Sequence, residues 1–88
     1  MKPGSTIKVR YQKLGREGVL GLADLDTGEI TIDPRQPSRE LLGTLLHESI
    51  HLLADDMGKP DWPEDRVIEW EEKMRDVVWQ AGFRKVVD

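Results

Sequence analysis

Residues 38–58 read SRELLGTLLHESIHLLADDMG. Apolar side chains recur there at helical spacing, and at about 100° per residue they cover roughly half of the helix circumference; they are Leu41, Leu42, Leu45, Leu46, Ile50, Leu52 and Leu53. Ser38, which follows Pro37, is the predicted N-cap. Gly58 fits the position just past the last helical residue, with Pro60 beyond it. The pattern predicts one helix that packs its leucine face on the rest of the protein.

Both histidines of the chain lie in this helix, as His47 and His51. Positions four residues apart share a helix face, so two imidazoles at this spacing can bind one metal ion. The usual interpretation of a helical histidine is a hydrogen-bonded core residue, but this pair falls nearly opposite the centre of the leucine face. Glu48 lies on the same flank, where its carboxylate could accept a proton from water beside the metal. The spacing therefore favours a metal site with a general base next to it.

A second helix is predicted from about residue 63 to residue 81, with Gly82 as its stop. Its broad apolar arc is expected to pack against the first helix and a sheet; the arc consists of Val67, Ile68, Trp70, Met74, Val77, Val78 and Ala81. Glu64 and Glu71 fall within this arc, whereas Glu69 and Glu72 fall on the polar side. The second helix therefore carries the acidic side chains that are best placed to face the first.

A catalytic zinc site needs a third protein ligand. The chain has neither a third histidine nor a cysteine, so this ligand must be an aspartate or a glutamate. Glu64 is the preferred candidate, and Glu71 lies two turns further along, about 10 Å away, so only one of them is expected to meet the metal. Glu64 also fits a capping box with Asp61, which would give it a structural role instead. Asp55 and Asp56 at the end of the first helix are weaker candidates.

The N-terminal third of the chain has the patterns of three strands. Residues 7–11 alternate apolar and polar side chains, residues 19–23 form a short apolar run, and residues 29–33 alternate again before Pro34. The fold class predicted is α+β: a three-stranded N-terminal sheet followed by a metal-binding helix and a second, C-terminal helix.

The composition limits the classes of function. Of the 88 residues, 38% are hydrophobic and 34% charged, so we expect one globular domain over residues 1–88. The net charge is −4 with both signs interspersed, which argues against a nucleic-acid partner. The absence of cysteine excludes disulfides and thiolate metal sites. Without an apolar signal region or a membrane-spanning run, a cytoplasmic protein with no membrane partner is expected; its oligomeric state stays open.

Residues 44–51, together with the preceding strand at residues 28–33, resemble the minimal zincin-like metallopeptidases of phages and prophages. These carry the His-Glu-x-x-His motif and belong to the gluzincin-like clan, with the ImmA/IrrE-type proteases and, more distantly, thermolysin. The resemblance covers about residues 17–82 of this chain. It implies that His47 and His51 bind zinc, that Glu48 is the base and that Glu64, at the start of the following helix, is the third ligand. It also implies that residues 30–33 border the cleft and pair with an extended peptide.

The function expected is that of a zinc-dependent metallopeptidase, which hydrolyses peptide or protein substrates with Glu48 as general base. The alternative is a non-catalytic metal-binding protein of the same fold that recognises a protein partner, which the small scaffold would suit. A helical motif without metal is a further alternative. The donor types suit Zn²⁺, although two imidazoles and a carboxylate also accommodate other divalent ions.

Overall fold

The computed structural model describes residues 7–15, 19–58 and 62–82. In chain order its elements are β1 (Lys8–Tyr11), β2 (Gly21–Asp24), β3 (Glu29–Ile32), α1 (Ser38–Asp56) and α2 (Glu64–Gln80). The predicted order is confirmed: the chain forms a small α+β domain with a three-stranded sheet followed by two helices. Within the described ranges, neither helix is long and apolar enough to cross a membrane.

The sheet has the strand order β1-β3-β2. β2 and β3 form an antiparallel hairpin, while β1 lies parallel to β3 on its other side. The hairpin turns at Gly28, whose φ of 74° is a left-handed conformation that glycine adopts without steric cost. The Asp24 carboxylate supports this turn by accepting the backbone N–H groups of Asp26 and Thr27 at 3.0 and 3.2 Å.

The central position of β3 corrects one expectation. Residues 30–33 were expected to border the cleft and pair with a peptide, but β3 is hydrogen-bonded to a neighbouring strand on each side. Ile30 and Ile32 are fully buried between these neighbours and α1. This expectation, which the resemblance implied, is wrong because the backbone groups on both edges of β3 are already paired with β1 and β2. β2 lies beside α1 and, within the described residues, is paired with only one strand.

Asp33 lies directly after β3 and links two segments of the chain through hydrogen bonds. β3 ends at Ile32, one residue earlier than predicted, and the buried Asp33 carboxylate accepts the backbone N–H groups of Leu14 and Arg35 at 3.1 and 3.0 Å. Arg35 Nε lies 2.9 Å from Asp33 Oδ1, and its Nη2 donates to the Leu14 carbonyl at 3.2 Å. The segment that follows β1 is thereby attached to the end of β3.

Asp33 should make the stability of the fold sensitive to acid. Side-chain hydrogen bonds from Arg35 hold the pKa of the Asp33 carboxyl well below its ordinary value. Such a group stabilises the fold above its unfolded-state pKa of about 3.9, and this contribution is lost as the pH falls below that value. We expect Asp33→Asn to lower the melting temperature at pH 7. Below about pH 4, the melting temperature of this variant should decrease less with falling pH than that of the wild type.

Thermal unfolding followed by circular dichroism between neutral and acidic pH checks this prediction. Asp76→Asn is the matched control, because Asp76 forms an exposed ion pair with Arg39 and should contribute little. Equal melting temperatures for Asp33→Asn and the wild type at pH 7 would contradict the role assigned to Asp33.

The first helix begins without a side-chain cap. Pro37 (φ −58°, ψ 155°) occupies the N-cap position of α1, and its carbonyl accepts the Leu41 N–H at 2.8 Å. The prediction that Ser38 caps the helix is therefore wrong, since Ser38 is already its first residue. The predicted end is confirmed: Gly58 adopts a φ of 79° and donates its N–H to the Asp55 carbonyl at 3.0 Å.

The core lies between the sheet and α1. Its central side chains come from β3 and from the leucine face of α1; they are Ile30, Ile32, Leu41 and Leu52. α2 packs on α1 through the fully buried Val67 and does not reach the sheet in the described residues. Trp70 and Val77 are consequently 49% and 67% exposed, so the prediction that the arc also packs against the sheet is wrong. α2 instead lies alongside α1, where its carboxylates face the histidines.

Candidate metal centre

The two histidines lie side by side on α1. Their ring centroids are 4.9 Å apart, and Nε2 of His51 lies 3.2 Å from Nε2 of His47. The side chains are 24% and 31% exposed, so they are neither core residues nor free in solvent. The helical spacing of four residues places both Nε2 atoms at one point beside the helix.

Glu64, the first residue of α2, faces these two nitrogens. Its Oε1 lies 2.7 Å from His47 Nε2, and its Oε2 lies 3.4 Å from His51 Nε2. Pro63 is the N-cap and Glu64 is the first helical residue, so Glu64 does not occupy the third helical position that the capping-box alternative requires. Asp61, the other member of that box, lies outside the described residues.

Two of the three distances between these donor groups match the edges of a tetrahedral metal site. Bonds of 2.0–2.1 Å from zinc to nitrogen or oxygen give a tetrahedron with donor–donor edges of about 3.3–3.4 Å. The Nε2–Nε2 distance of 3.2 Å and the distance of 3.4 Å between Glu64 Oε2 and His51 Nε2 match these edges, whereas the distance of 2.7 Å between Glu64 Oε1 and His47 Nε2 is shorter and corresponds to a hydrogen bond. One donor atom from each of His47, His51 and Glu64 lies within 4.8 Å of the others. Two imidazoles and one carboxylate suit zinc and leave one position open.

Glu71, the second glutamate in the arc, meets His47 from the other side of its ring. Its Oε1 lies 2.9 Å from His47 Nδ1, and its Oε2 accepts from Arg75 Nη1 at 3.3 Å. Glu64 and Glu71 therefore do not compete for one position, since they contact different nitrogens of the same imidazole. Among the described residues, Asp55 and Asp56 are not part of the group that could hold a metal.

Glu48 lines a pocket of about 440 Å³ between α1, α2 and β2. The pocket wall also includes Leu20, Gly21, Gln36, Glu40, Thr44, His47, Glu71 and Arg75. Burial raises the pKa of the Glu48 carboxyl above its ordinary value, and the charges of His47 and His51 oppose part of this increase. A half-buried carboxylate beside the candidate metal ligands, open to a pocket, is placed as a general base requires.

Two residues that the sequence analysis did not select hold β2 against α1. A Cβ added at Gly21 would lie 2.5 Å from Thr44 Cγ2 and 3.3 Å from Glu48 Cγ. The buried Gln36 donates to the Leu20 carbonyl at 3.2 Å, and its Oε1 accepts from the Thr44 hydroxyl at 2.6 Å. An isolated glycine within an apolar strand pattern is a signal of close backbone approach, and Gly21 had that signal. Gln36 carried none.

Replacing Gly21 should push β2 away from α1. We expect Gly21→Ala to destabilise the protein by about 1–3 kcal/mol, since the new methyl group overlaps the Thr44 side chain. Urea unfolding measures the effect. Gly15→Ala is the matched control, because no atom of the described residues lies within 4 Å of a Cβ at Gly15 and the change should be nearly neutral. Equal stabilities of the two variants would contradict the close approach.

Comparison of the chain with models of protein families, with curated proteins and with solved structures finds no match. The resemblance to phage-type metallopeptidases therefore rests on the motif at residues 44–51 and stays a prediction. The fold brings His47, His51 and Glu64 together around one point, with Glu48 beside them.

Proposed function

We propose that this protein is a small zinc-dependent metallopeptidase of the zincin type. The observation that carries the proposal is that two imidazole nitrogens and a carboxylate group lie around one point, with two of their distances close to a tetrahedral edge. His47 and His51 supply the nitrogens from α1, and Glu64 supplies the oxygen from α2. A metal site with three protein ligands and an open fourth position is the arrangement of catalytic rather than structural zinc.

Each residue of the site has a distinct task in peptide hydrolysis. His47, His51 and Glu64 hold the metal. Zinc, when bound, would polarise the scissile carbonyl and make an adjacent water molecule acidic enough to attack near neutral pH. Glu48 accepts the proton of the attacking water and then passes it to the leaving amine. Because Glu48 directly follows His47 in α1, the helix holds the base beside the metal ligands.

A peptide substrate would bind along β2. Leu20 is hydrogen-bonded toward β3, and backbone groups alternate along an antiparallel strand, so those of Gly21 and Ala23 point to the other edge. No strand occupies that edge within the described ranges, and Leu20 and Gly21 line the pocket that contains Glu48. An extended peptide that adds to β2 would therefore pass the metal ligands. The proposal thus assigns substrate pairing to β2, which borders the pocket.

One observation favours the alternative of a zinc protein that recognises a partner without cleaving it. The described wall of the pocket contains no tyrosine and no histidine other than His47. Such side chains often donate hydrogen bonds to the oxyanion that forms during peptide hydrolysis, and their removal from a site can slow it a hundredfold or more, as a rough scale. A bound metal with little turnover is the behaviour that this alternative predicts.

A cleavage assay separates the two functions. The zinc-loaded protein is incubated with a mixture of unstructured peptides, and the products are identified by mass spectrometry. The proposal predicts new termini that disappear when a chelator removes the metal and return after one equivalent of zinc is added. Zinc binding without any cleavage would support the partner-recognition alternative, whereas a protein that takes up no zinc would contradict both.

A further inference from the structure

The imidazole of His47 is contacted at both of its nitrogens. Nε2 faces Glu64 and His51, while Nδ1 lies 2.9 Å from Glu71 Oε1. A neutral imidazole that binds a metal through Nε2 must carry its proton on Nδ1. A carboxylate only accepts hydrogen bonds, so Glu71 favours this tautomer once a metal lies between Nε2 and Glu64, whose carboxylate faces Nε2 at 2.7 Å.

Arg75 holds the other oxygen of Glu71. Its Nη1 lies 3.3 Å from Glu71 Oε2, and the two side chains are 25% and 16% exposed. The pair lies against the backbone of α1 at Gly43, where an added Cβ would come within 3.0 Å of both Arg75 Nη1 and Glu71 Oε2. Gly43 and His47 are one helical turn apart on the same face. The missing side chain at Gly43 therefore leaves the space that lets Glu71 reach His47.

We propose that Glu71 and Arg75 form a positioning pair that fixes the orientation and tautomer of His47 for zinc. The inference rests on the proposed metal site and extends it to two residues that do not touch the metal. Arg75 binds Oε2 of Glu71, which leaves Oε1 for the Nδ1 proton of His47. Hydrogen-bond partners of this kind keep a metal-binding histidine aligned and make it a better electron donor.

Zinc titrations of paired variants distinguish a positioning residue from a ligand. A glutamine amide oxygen accepts the Nδ1 proton as a carboxylate does, but a neutral amide is a poor replacement for an anionic zinc ligand. We expect Glu71→Ala to weaken zinc binding about tenfold to a hundredfold and Glu71→Gln to restore most of the affinity. Glu64→Ala and Glu64→Gln should both weaken binding at least tenfold, roughly to the same extent. Glu72→Ala, an exposed neighbour on α2, is the control and should leave affinity unchanged.

The Nδ1 proton gives a second readout that a merely structural role would not move. The chain has two histidines, so the spectrum of ¹⁵N-labelled zinc-loaded protein contains at most two such ring protons. The proton of His47 should exchange slowly with water in the wild type and in Glu71→Gln, and rapidly in Glu71→Ala. Arg75→Met should accelerate the exchange less than Glu71→Ala does, because it removes only the partner of Glu71.

The outcomes separate this inference from the proposed function. A wild type that binds zinc and a Glu71→Ala variant of equal affinity would overturn the positioning pair alone. Equal losses in Glu71→Ala and Glu71→Gln, with Glu64→Ala harmless, would make Glu71 the ligand and overturn the pair. If the wild type binds no zinc, the proposed function fails, and proton exchange in the metal-free protein still tests the contact between Glu71 and His47. If Glu71→Ala does not fold, Glu71→Met combined with Arg75→Met replaces it, since it removes both charges at similar volume.

Discussion

His47→Ala and His51→Ala will each abolish tight zinc binding. Either change leaves one imidazole and the Glu64 carboxylate, which is too few protein ligands for a stable zinc site. The loss should exceed the roughly hundredfold effect of removing a residue that only supports a ligand. The fold should persist, because both side chains are partly exposed and neither belongs to the core cluster of Ile30, Ile32, Leu41 and Leu52.

Elemental analysis of the purified variants and a zinc titration against a competing chelator measure this effect. Ser49→Ala is the matched control, because Ser49 lies between the two histidines and its hydroxyl donates only to the Leu45 carbonyl in the described contacts, at 2.7 Å. Full zinc occupancy in the double variant of His47 and His51 would place the metal elsewhere and make the motif a coincidence.

Glu48→Gln will remove peptide hydrolysis while the metal content and the fold stay intact. Glutamine has nearly the same shape as glutamate, but its amide cannot take up the proton of the attacking water. The loss of a general base should lower kcat by about a hundredfold to ten-thousandfold. Zinc affinity should be retained, because Glu48 is not part of the group formed by His47, His51 and Glu64.

Two results would contradict this role of Glu48. Loss of zinc in Glu48→Gln would make Glu48 a metal ligand, and unchanged hydrolysis would mean that another group acts as the base. Glu72→Gln is the matched control, since it makes the same chemical change on the exposed side of α2 and should alter neither property.

The elements of the fold could be predicted because their signals are local. Alternation over residues 7–11 and 29–33 indicates strands, and the leucine spacing over residues 38–58 indicates a helix. The placement of β3 between β1 and β2 could not be predicted in this way, because strand order depends on pairing between distant segments. The exposure of Trp70 could not be predicted for the same reason. The apolar arc on α2 predicts contact with an apolar surface, but only α1 covers this arc, and it leaves part of the arc exposed.

In the candidate site too, local sequence patterns predict some contacts, and others depend on how distant segments pack. The sharing of one face by His47 and His51 follows from helical spacing alone. Helical phase also places Glu64 and Glu71 on one face of α2, but from phase alone they are alternative ligands for the same metal position. Which end of the His47 ring each glutamate meets depends on how α2 crosses α1, and Gly43 permits that crossing without any signal in the local pattern.

The most direct test of the metal site is an anomalous difference map at the zinc absorption edge from crystals of the zinc-loaded protein. We predict one peak within about 2.0–2.2 Å of Nε2 of His47, Nε2 of His51 and one carboxylate oxygen of Glu64. Glu71 should remain hydrogen-bonded to Nδ1 of His47 and outside the metal's coordination sphere. A peak coordinated by Glu71 instead of Glu64, or a peak away from both histidines, would contradict the account.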